Sequence, residues 1–399
     1  MLAIFFSPLY IFLTWLIAFM IIRWLKACVK GTVKTWIKIL IYIFFTIVAA
    51  AMPVAFLLPD SNIKFRMQHF GSMWLGILMY SLFPALLYLI FCLVWRITKK
   101  RTGSTEKLER PRHVAIIAAT AGIIFVSIIC IYGMLHATDT RITEYTVEAE
   151  GKNSKIKELN AVMVADMHMG VNIGVPEMER MVELINECEP DIVFFCGDIF
   201  DNSYDALDNP EALIDIYKGI KSKYGVYACY GNHDVEEPVL AGFTFNHSEK
   251  KESDPRMDEF LERAGIRLLR DEAELIDDCF YVYGRPDYAR PGRGVDVRKT
   301  AEELMMDIKE EYPVIVLDHE PNELKELAAA GVDIALCGHT HDGQIFPGNV
   351  ILSLICDNSY GYKRFGNMES IVTSGVGLFG PFMRVGTISE ICRIKVVFS

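Results

Sequence analysis

The sequence predicts two parts: an α-helical region that crosses a membrane four times, followed by an α/β layered domain. Three observations carry this reading. Four long stretches within the first 135 residues lack any charged side chain, and the charge balance reverses near residue 150. Beyond residue 155, short apolar runs alternate with amphipathic helical patterns. A chain of 399 residues exceeds one ordinary hydrophobic core. The boundaries read as a membrane region over 1–137, a linker over 138–154 and a second domain over 155–399.

The membrane elements come first. Leu2–Ile22, Ile39–Pro59, Phe70–Trp95 and Val114–Leu135 contain no Asp, Glu, Lys or Arg. Each is long enough to span the hydrocarbon core, for which about 20 apolar residues suffice. Pro53 and Pro84 are tolerated in such helices. The first stretch lacks the basic leader and small-residue cleavage site of a signal peptide. Arg23, Lys26, Lys30, Lys34 and Lys38 follow the first span; Arg96, Lys99, Lys100, Arg101, Lys107, Arg110 and Arg112 follow the third. Only Lys64 and Arg66 follow the second. Positive loops stay cytoplasmic, so the N-terminus and everything after Leu135 are expected on the extracytoplasmic side of a plasma membrane.

Residues 1–150 carry a net charge of +8 and residues 151–399 a net of −19. So acidic a domain does not hold nucleic acid by bulk electrostatics, because phosphate backbones need Lys/Arg neutralisation. It can still bind a phosphate ester through metal cations, which bring their own positive charge. The ten cysteines show neither a disulfide framework nor a zinc-knuckle spacing. Cys196, Cys229 and Cys337 end apolar runs and read as buried strand residues. Free thiols are unusual in an oxidising compartment, but the loop charges weigh more in the orientation.

In the second part, strands are predicted at Leu159–Ala165, Asp191–Cys196, Val226–Tyr230, Phe280–Tyr283, Pro313–Leu317 and Ile334–Cys337. Helices are predicted at Pro176–Cys188, Pro210–Ser222, Arg256–Ala264, Arg298–Glu311 and Glu323–Ala330. In the first of these, Met178, Met181, Val182 and Ile185 form an apolar stripe behind a first-turn proline. The stretch from Ile351 to Phe398 reads as β-like with Gly turns, and 236–255 as a long polar loop.

The unusual chemistry falls where predicted strands end. The segments are Asp166-Met-His168, Gly197-Asp198-Ile-Phe-Asp201, Gly231-Asn232-His233-Asp234, His319, and Gly338-His339-Thr-His341. Ligands of open α/β sheets collect at the carboxyl ends of strands, so five strand ends are expected to converge. On extended backbone, the residues flanking a single intervening position point the same way, which would pair Asp166 with His168 and His339 with His341. Five of the nine histidines lie in this set; His69, His113, His136 and His247 fit no constellation. Mixed carboxylate, imidazole and amide oxygen suits Mn, Fe or Zn. Two such ions sharing a carboxylate can clamp an in-line displacement and lower the pKa of a bridging water.

These motifs, in this order, resemble the calcineurin-like metallophosphoesterase superfamily over about Asn160–Phe398. Gly338-His-Thr-His-Asp-Gly-Gln-Ile and the tail from Gly375 to Arg384 resemble its membrane-associated bacterial phosphodiesterase branch, with Asp342 where a Gly is usual. The resemblance implies a four-layer αββα sandwich. It implies that Asp166, His168 and His341 ligate a first metal, that Asp198 bridges, and that Asn232, His319 and His339 ligate a second. His233 would stabilise or protonate the leaving group, held by Asp201, while a bridging hydroxide attacks phosphorus in line.

Substrate is less legible. A phosphodiester of a membrane phospholipid or glycolipid suits a membrane-tethered domain. Arg285, Arg290, Arg293 and Arg384 are candidate phosphate contacts, against a role as solvated surface. Leu378, Phe379, Pro381, Phe382 and Met383 form either core or an apolar rim for a lipid chain. A membrane sensor or scaffold that keeps the fold without turnover is the alternative; degenerate ligands would favour it, and none of the seven is missing. A transporter is disfavoured by spans without charge.

Overall fold

The structure is a computed structural model that describes residues 2–29, 31–59, 61–101, 112–235, 239–240, 243–244, 253–292, 297–306 and 308–399. Lys30, Lys107, Arg110, His247, Arg293 and most of the 236–255 loop lie outside these residues. The chain divides into two compact units, Met1–Met134 and Leu135–Ser399.

The first unit holds four helices, α1 (Leu2–Cys28), α2 (Thr35–Ala55), α3 (Asn62–Arg101) and α4 (Arg112–Leu135), each long and apolar enough to cross a membrane. Ile17, Ala18, Phe45, Trp74 and Leu78 pack between helices, while outward Leu, Ile and Phe side chains remain exposed, as lipid-facing surface requires. The indole N–H of Trp24 donates to the Thr120 hydroxyl, tying α1 to α4. α3 extends beyond the charge-free stretch at both ends, so Lys64, Arg66, Arg96, Lys99, Lys100 and Arg101 lie in helix rather than loop.

The second unit runs β1 (Thr140–Ala149), β2 (Glu158–Val164), α5 (Val175–Glu187), β3 (Ile192–Cys196), α6 (Pro210–Tyr217) and β4 (Val226–Cys229). A two-residue pair, β5 (Val239–Leu240) and β6 (Phe243–Thr244), precedes α7 (Pro255–Arg263), β7 (Ile266–Leu268), β8 (Glu272–Ile276) and β9 (Phe280–Gly284). Then come α8 (Ala301–Met306), β10 (Val314–Leu317), α9 (Leu324–Ala330), β11 (Ile334–Cys337), α10 (Gly348–Ile355), β12 (Gly361–Phe365), β13 (Met368–Val372) and β14 (Ser389–Phe398). They build two six-stranded sheets, ordered β1-β14-β2-β3-β4-β7 and β12-β13-β11-β10-β9-β8. β2, β3, β4 and β7 run parallel, as do β9, β10, β11 and β13, so their carboxyl ends share one edge of each sheet.

Three buried cores separate four layers. Met178, Met181 and Ile185 of α5 and Phe260 of α7 pack on Val193 and Phe195 of the first sheet. Phe194, Cys196 and Met163 on its other face meet Phe280, Ile315 and Leu336 of the second. Val314, Val316 and Cys337 on the far face are covered by Leu304 of α8 and Leu327 of α9. Successive residues of buried parallel strands thus serve opposite cores, and the runs read as continuously apolar. This is the four-layer αββα sandwich.

Two sequence expectations are corrected, and two strands are added to those expected. Residues 138–154 are not a linker: β1 pairs in parallel with β14 over ten residues, and Ala137 is buried in the first core. Its side chains alternate between exposed Arg141, Glu144 and Glu148 and buried Val147 and Ala149, an edge-strand pattern that its polar composition obscures. Residues 351–355 are helical, not β-like. β7 and β8, too short or too polar to announce themselves, complete the sheet edges.

Candidate metal centre

Each motif follows directly on a parallel strand: Asp166 on β2, Asp198 on β3, Asn232 on β4, His319 on β10 and His339 on β11. All nine side chains singled out from the sequence come together here. One cluster comprises Asp166, His168 and His341; a second His168, Asp201 and His233; a third Asp198, His319 and His339. Asn232 joins through its Oδ1, 2.9 Å from His339 Nδ1.

Asp198 is the hub. Its Oδ1 accepts the His233 backbone N–H at 2.7 Å, and its Oδ2 lies 3.0 Å from His319 Nε2 and 3.6 Å from His168 Nε2. Asp166 Oδ1 lies 3.5 Å from His341 Nε2 and 3.9 Å from His319 Nε2, and accepts the His339 backbone N–H at 2.9 Å. His168 and His341 bring their Nε2 atoms within 3.0 Å of each other. Two ring nitrogens aimed at one another inside the protein suit a shared cation. The buried His319 Nε2 faces Asp198 Oδ2 without the alignment of a hydrogen bond, while its Nδ1 is fixed 2.9 Å from the Cys196 carbonyl. A divalent ion fits this donor set.

Electrostatics divide the imidazoles. Burial pushes His168 down to about 4 and His339 to about 3, and holds His341 well below the ordinary histidine value; these are neutral, ligand-ready rings. Burial also opposes a charge on His319, but Asp198 and Asp166 raise it well above its usual value. Burial lifts Asp166 to about 7; the same burial acts on Asp198, yet His319, His233 and His168 hold that carboxyl well below the usual range. His233 is raised against burial by Asp198 and Asp201.

The convergence of the D-x-H and H-x-H pairs has a different cause from the extended backbone expected. Asp166 (φ 53°), His168 (φ 46°), Asp198 (φ 51°), His339 (φ 71°) and His341 (φ 51°) are all left-handed. The turns are tight enough that a Cβ on Gly231 would lie 2.3 Å from Asp198 Oδ1, so only glycine fits there. Asp342 is also left-handed (φ 51°), in the slot where the resembling branch has Gly, and it displaces no donor.

Other residues were not singled out beforehand. Asn202 Nδ2 sits 2.6 Å from His233 Nδ1 and 3.1 Å from Asp201 Oδ1, whereas Asp201 itself is 3.7 Å from His233 Nδ1. Asn202 is therefore the direct holder of the ring, with Asp201 behind it. Asp234 accepts from the Phe200 and Gly231 backbone N–H groups, each at 2.8 Å, locking two site loops together. Phe379 covers the histidines, its ring centroid 5.3 Å from that of His233 and 6.1 Å from that of His341.

Two candidate phosphate contacts are removed. Arg285 is fully buried and pairs with Asp318 (2.7 Å) and Glu323 (2.8 Å). Arg384, equally buried, donates to the carbonyls of Ser374, Gly375 and Gly377. Arg290 donates to the Asn232 carbonyl at 3.0 Å, close to the site. The apolar run divides: Leu378 and Met383 are core, and Phe379 faces the histidines.

Residues 159–343 match the calcineurin-like phosphoesterase family model. The chain is 26% identical over 376 residues to a zebrafish (Danio rerio) transmembrane protein with a metallophosphoesterase domain, covering 90% of this chain and 80% of that one. It is 30% identical over 258 residues to an uncharacterised metallophosphoesterase of Aquifex aeolicus, covering 64% of this chain and 90% of the relative. An uncharacterised metallophosphoesterase of Campylobacter jejuni is 24% identical over 357 residues, 88% of this chain and 90% of that one. Relatives that share both the strand-end motifs' domain and, in the zebrafish case, nearly the whole chain leave one conclusion: this is a membrane protein of the calcineurin-like metallophosphoesterase family.

Proposed function

We propose that the protein is a membrane-anchored, binuclear-metal phosphodiesterase that hydrolyses phospholipid or glycolipid phosphodiesters on the extracytoplasmic side of a plasma membrane. The observation that carries the binuclear reading is the position of Asp198. Its Oδ2 lies between the two groups of candidate ligands, 3.6 Å from His168 Nε2 and 3.0 Å from His319 Nε2. Asp166, His168 and His341 with Asp198 would hold one divalent ion, and Asp198, Asn232, His319 and His339 a second. Mn, Fe or Zn bound there supplies positive charge to the phosphate oxygens and lowers the pKa of a water nucleophile.

The remaining work falls to the chain. Asn202 holds the His233 ring at Nδ1, and Nε2 is the nitrogen that stabilises or protonates the departing oxygen. Asp201, behind Asn202, supports the imidazolium. Phe379 excludes water from the His168, His233 and His341 rings. The lipid assignment rests on the membrane anchor, and the side of the membrane on the basic loops.

The test is metal analysis of the full-length protein in detergent, followed by turnover of phosphomonoesters, soluble diesters and lipid diesters. A fragment starting at residue 150 is unsuitable because it deletes β1. Two ions per chain and a preference for lipid diesters are expected. One ion per chain overturns the binuclear reading, nucleotide turnover without lipid turnover overturns the lipid reading, and metal binding without any turnover favours the sensor.

A further inference from the structure

The segment after His341 differs from the rest of the catalytic unit. From Ile345 to Cys356 the chain has no Asp, Glu, Lys or Arg, and α10, which fills most of it, contains no buried residue. Val350 and Leu354 are one turn apart, as are Ile351 and Ile355, so the four share a face. Their exposures are 48%, 79%, 53% and 71%, and Phe346 just before the helix is 50% exposed. Among the described residues, ten large apolar side chains are exposed between Leu135 and Ser399, and five of them fall within Phe346–Ile355. That is a contiguous patch, not scattered surface.

The helix is firmly mounted on the site. A Cβ on Gly343 would lie 2.3 Å from the Asn349 nitrogen, so the backbone after His341 touches the first turn of α10. Asn349 Nδ2 donates to the Gly386 carbonyl at 3.3 Å. Gln344 Nε2 donates to the Phe379 and Pro381 carbonyls, and its Oε1 accepts the Phe379 N–H. The polar side of the helix is thus fastened to the loops around His341, and among the described residues its apolar side chains stay 48–79% exposed.

We propose that α10 is an interfacial helix that inserts Phe346, Val350, Ile351, Leu354 and Ile355 into the acyl-chain border of a phospholipid surface, with the His339–His341 loop beside the headgroups. Two observations favour lipid over a protein partner. The chain itself carries four membrane-crossing helices, and only residues 136–139 separate α4 from β1, so a bilayer is present at high effective concentration. The patch also has no charge within it to desolvate, as insertion at the headgroup boundary requires. This inference rests on the membrane anchor and not on the lipid-substrate reading; a soluble substrate would leave it intact.

The test uses the full-length protein in nanodiscs containing phosphatidylcholine with a photoactivatable diazirine on its acyl chain. After illumination and proteolysis, label is expected on the 345–356 peptide as on peptides from the spans, and not on α5. The triple variant Ile351→Ser, Leu354→Ser, Ile355→Ser should cut that label at least tenfold, with turnover of a soluble aryl phosphodiester within twofold of the parent. An α10 peptide labelled no more than α5, while the spans are labelled, overturns the proposal. So do α10–α10 cross-links with a lipid-free helix, which would assign the face to a second copy of the chain.

Discussion

Asp318 and His319 are consecutive at the end of β10 and serve opposite purposes. His319 points to Asp198 and the Cys196 carbonyl. Asp318 points away, to Arg285 at 2.7 Å and Arg298 at 3.0 Å, and Glu323 pairs with both arginines. Asp318→Asn keeps the shape and removes the charge. Breaking a buried pair typically costs about 3–5 kcal/mol, because the surviving charge is left without compensation. Glu323 remains as a partner, which places the expected loss near 3 kcal/mol, the lower end of that range. For a unit of this size, each kcal/mol shifts Tm by about 2–4 °C, so a drop of roughly 6–12 °C is expected. The buried Cys196, Cys229, Cys337 and Cys392 provide the assay: a thiol-reactive fluorogenic dye reports their exposure on heating the full-length protein in detergent. Arg285→Gln should lower Tm similarly. A drop below about 2 °C for Asp318→Asn would mean the cluster is solvated and the reasoning wrong. A raised KM with unchanged Tm for Arg285→Gln would return that arginine to phosphate binding.

The site itself yields further expectations. Asp198→Asn should abolish turnover while the thiol-exposure melt stays cooperative; full activity would end the two-metal proposal. His233→Ala should retain bound metal, measured by elemental analysis, and slow hydrolysis by about 10²–10⁴-fold, most for poor leaving groups. Chelation should lower Tm, and Mn, Fe or Zn at 100 times its Kd should restore about 2.7 kcal/mol of stability, read as a rise in Tm. Gly231→Ala forces a methyl onto Asp198 and should cost about 1–3 kcal/mol together with most activity, separable by melting and kinetics.

Much of the fold was legible because its strands are buried on both faces. Ile192–Cys196 and Ile334–Cys337 are uniformly apolar and end in Gly, so both their type and their carboxyl ends could be read. The spans were legible for the same reason of scale, since an uninterrupted apolar run has few alternative uses. β1 was missed because an edge strand alternates charged and apolar residues, and Thr140–Ala149 looks like polar connection until β14 is known to lie beside it. α10 was missed because its apolar content faces outward, where helical and strand periodicity cannot be told apart over eight residues. Arg285 and Arg384 could not be placed because local sequence does not reveal whether a cation meets solvent or a buried carboxylate or carbonyl.

The candidate ligands could be picked out from the sequence, but the geometry that makes them converge could not. Five of the nine site residues hold left-handed backbone, a conformation that costs non-glycine residues on the order of 1–3 kcal/mol each. The sum approaches the net stability of a typical domain, so local preference cannot be what sets these angles. Tertiary hydrogen bonds impose them: the Asp166 N–H donates to the Gly197 carbonyl at 3.0 Å, His168 N–H to the Asp198 carbonyl at 2.9 Å, and His339 N–H to the Asp166 carboxylate. Each strand end is therefore shaped by the next strand end and not by its own residues. The closing segment completes this, because the Gly377 N–H donates to the Asp166 carbonyl at 2.7 Å while Arg384 gathers the carbonyls around it. Arg384, read from sequence as a candidate phosphate contact or a solvated surface cation, thus acts by holding the Asp166 turn in its strained form from the far end of the chain.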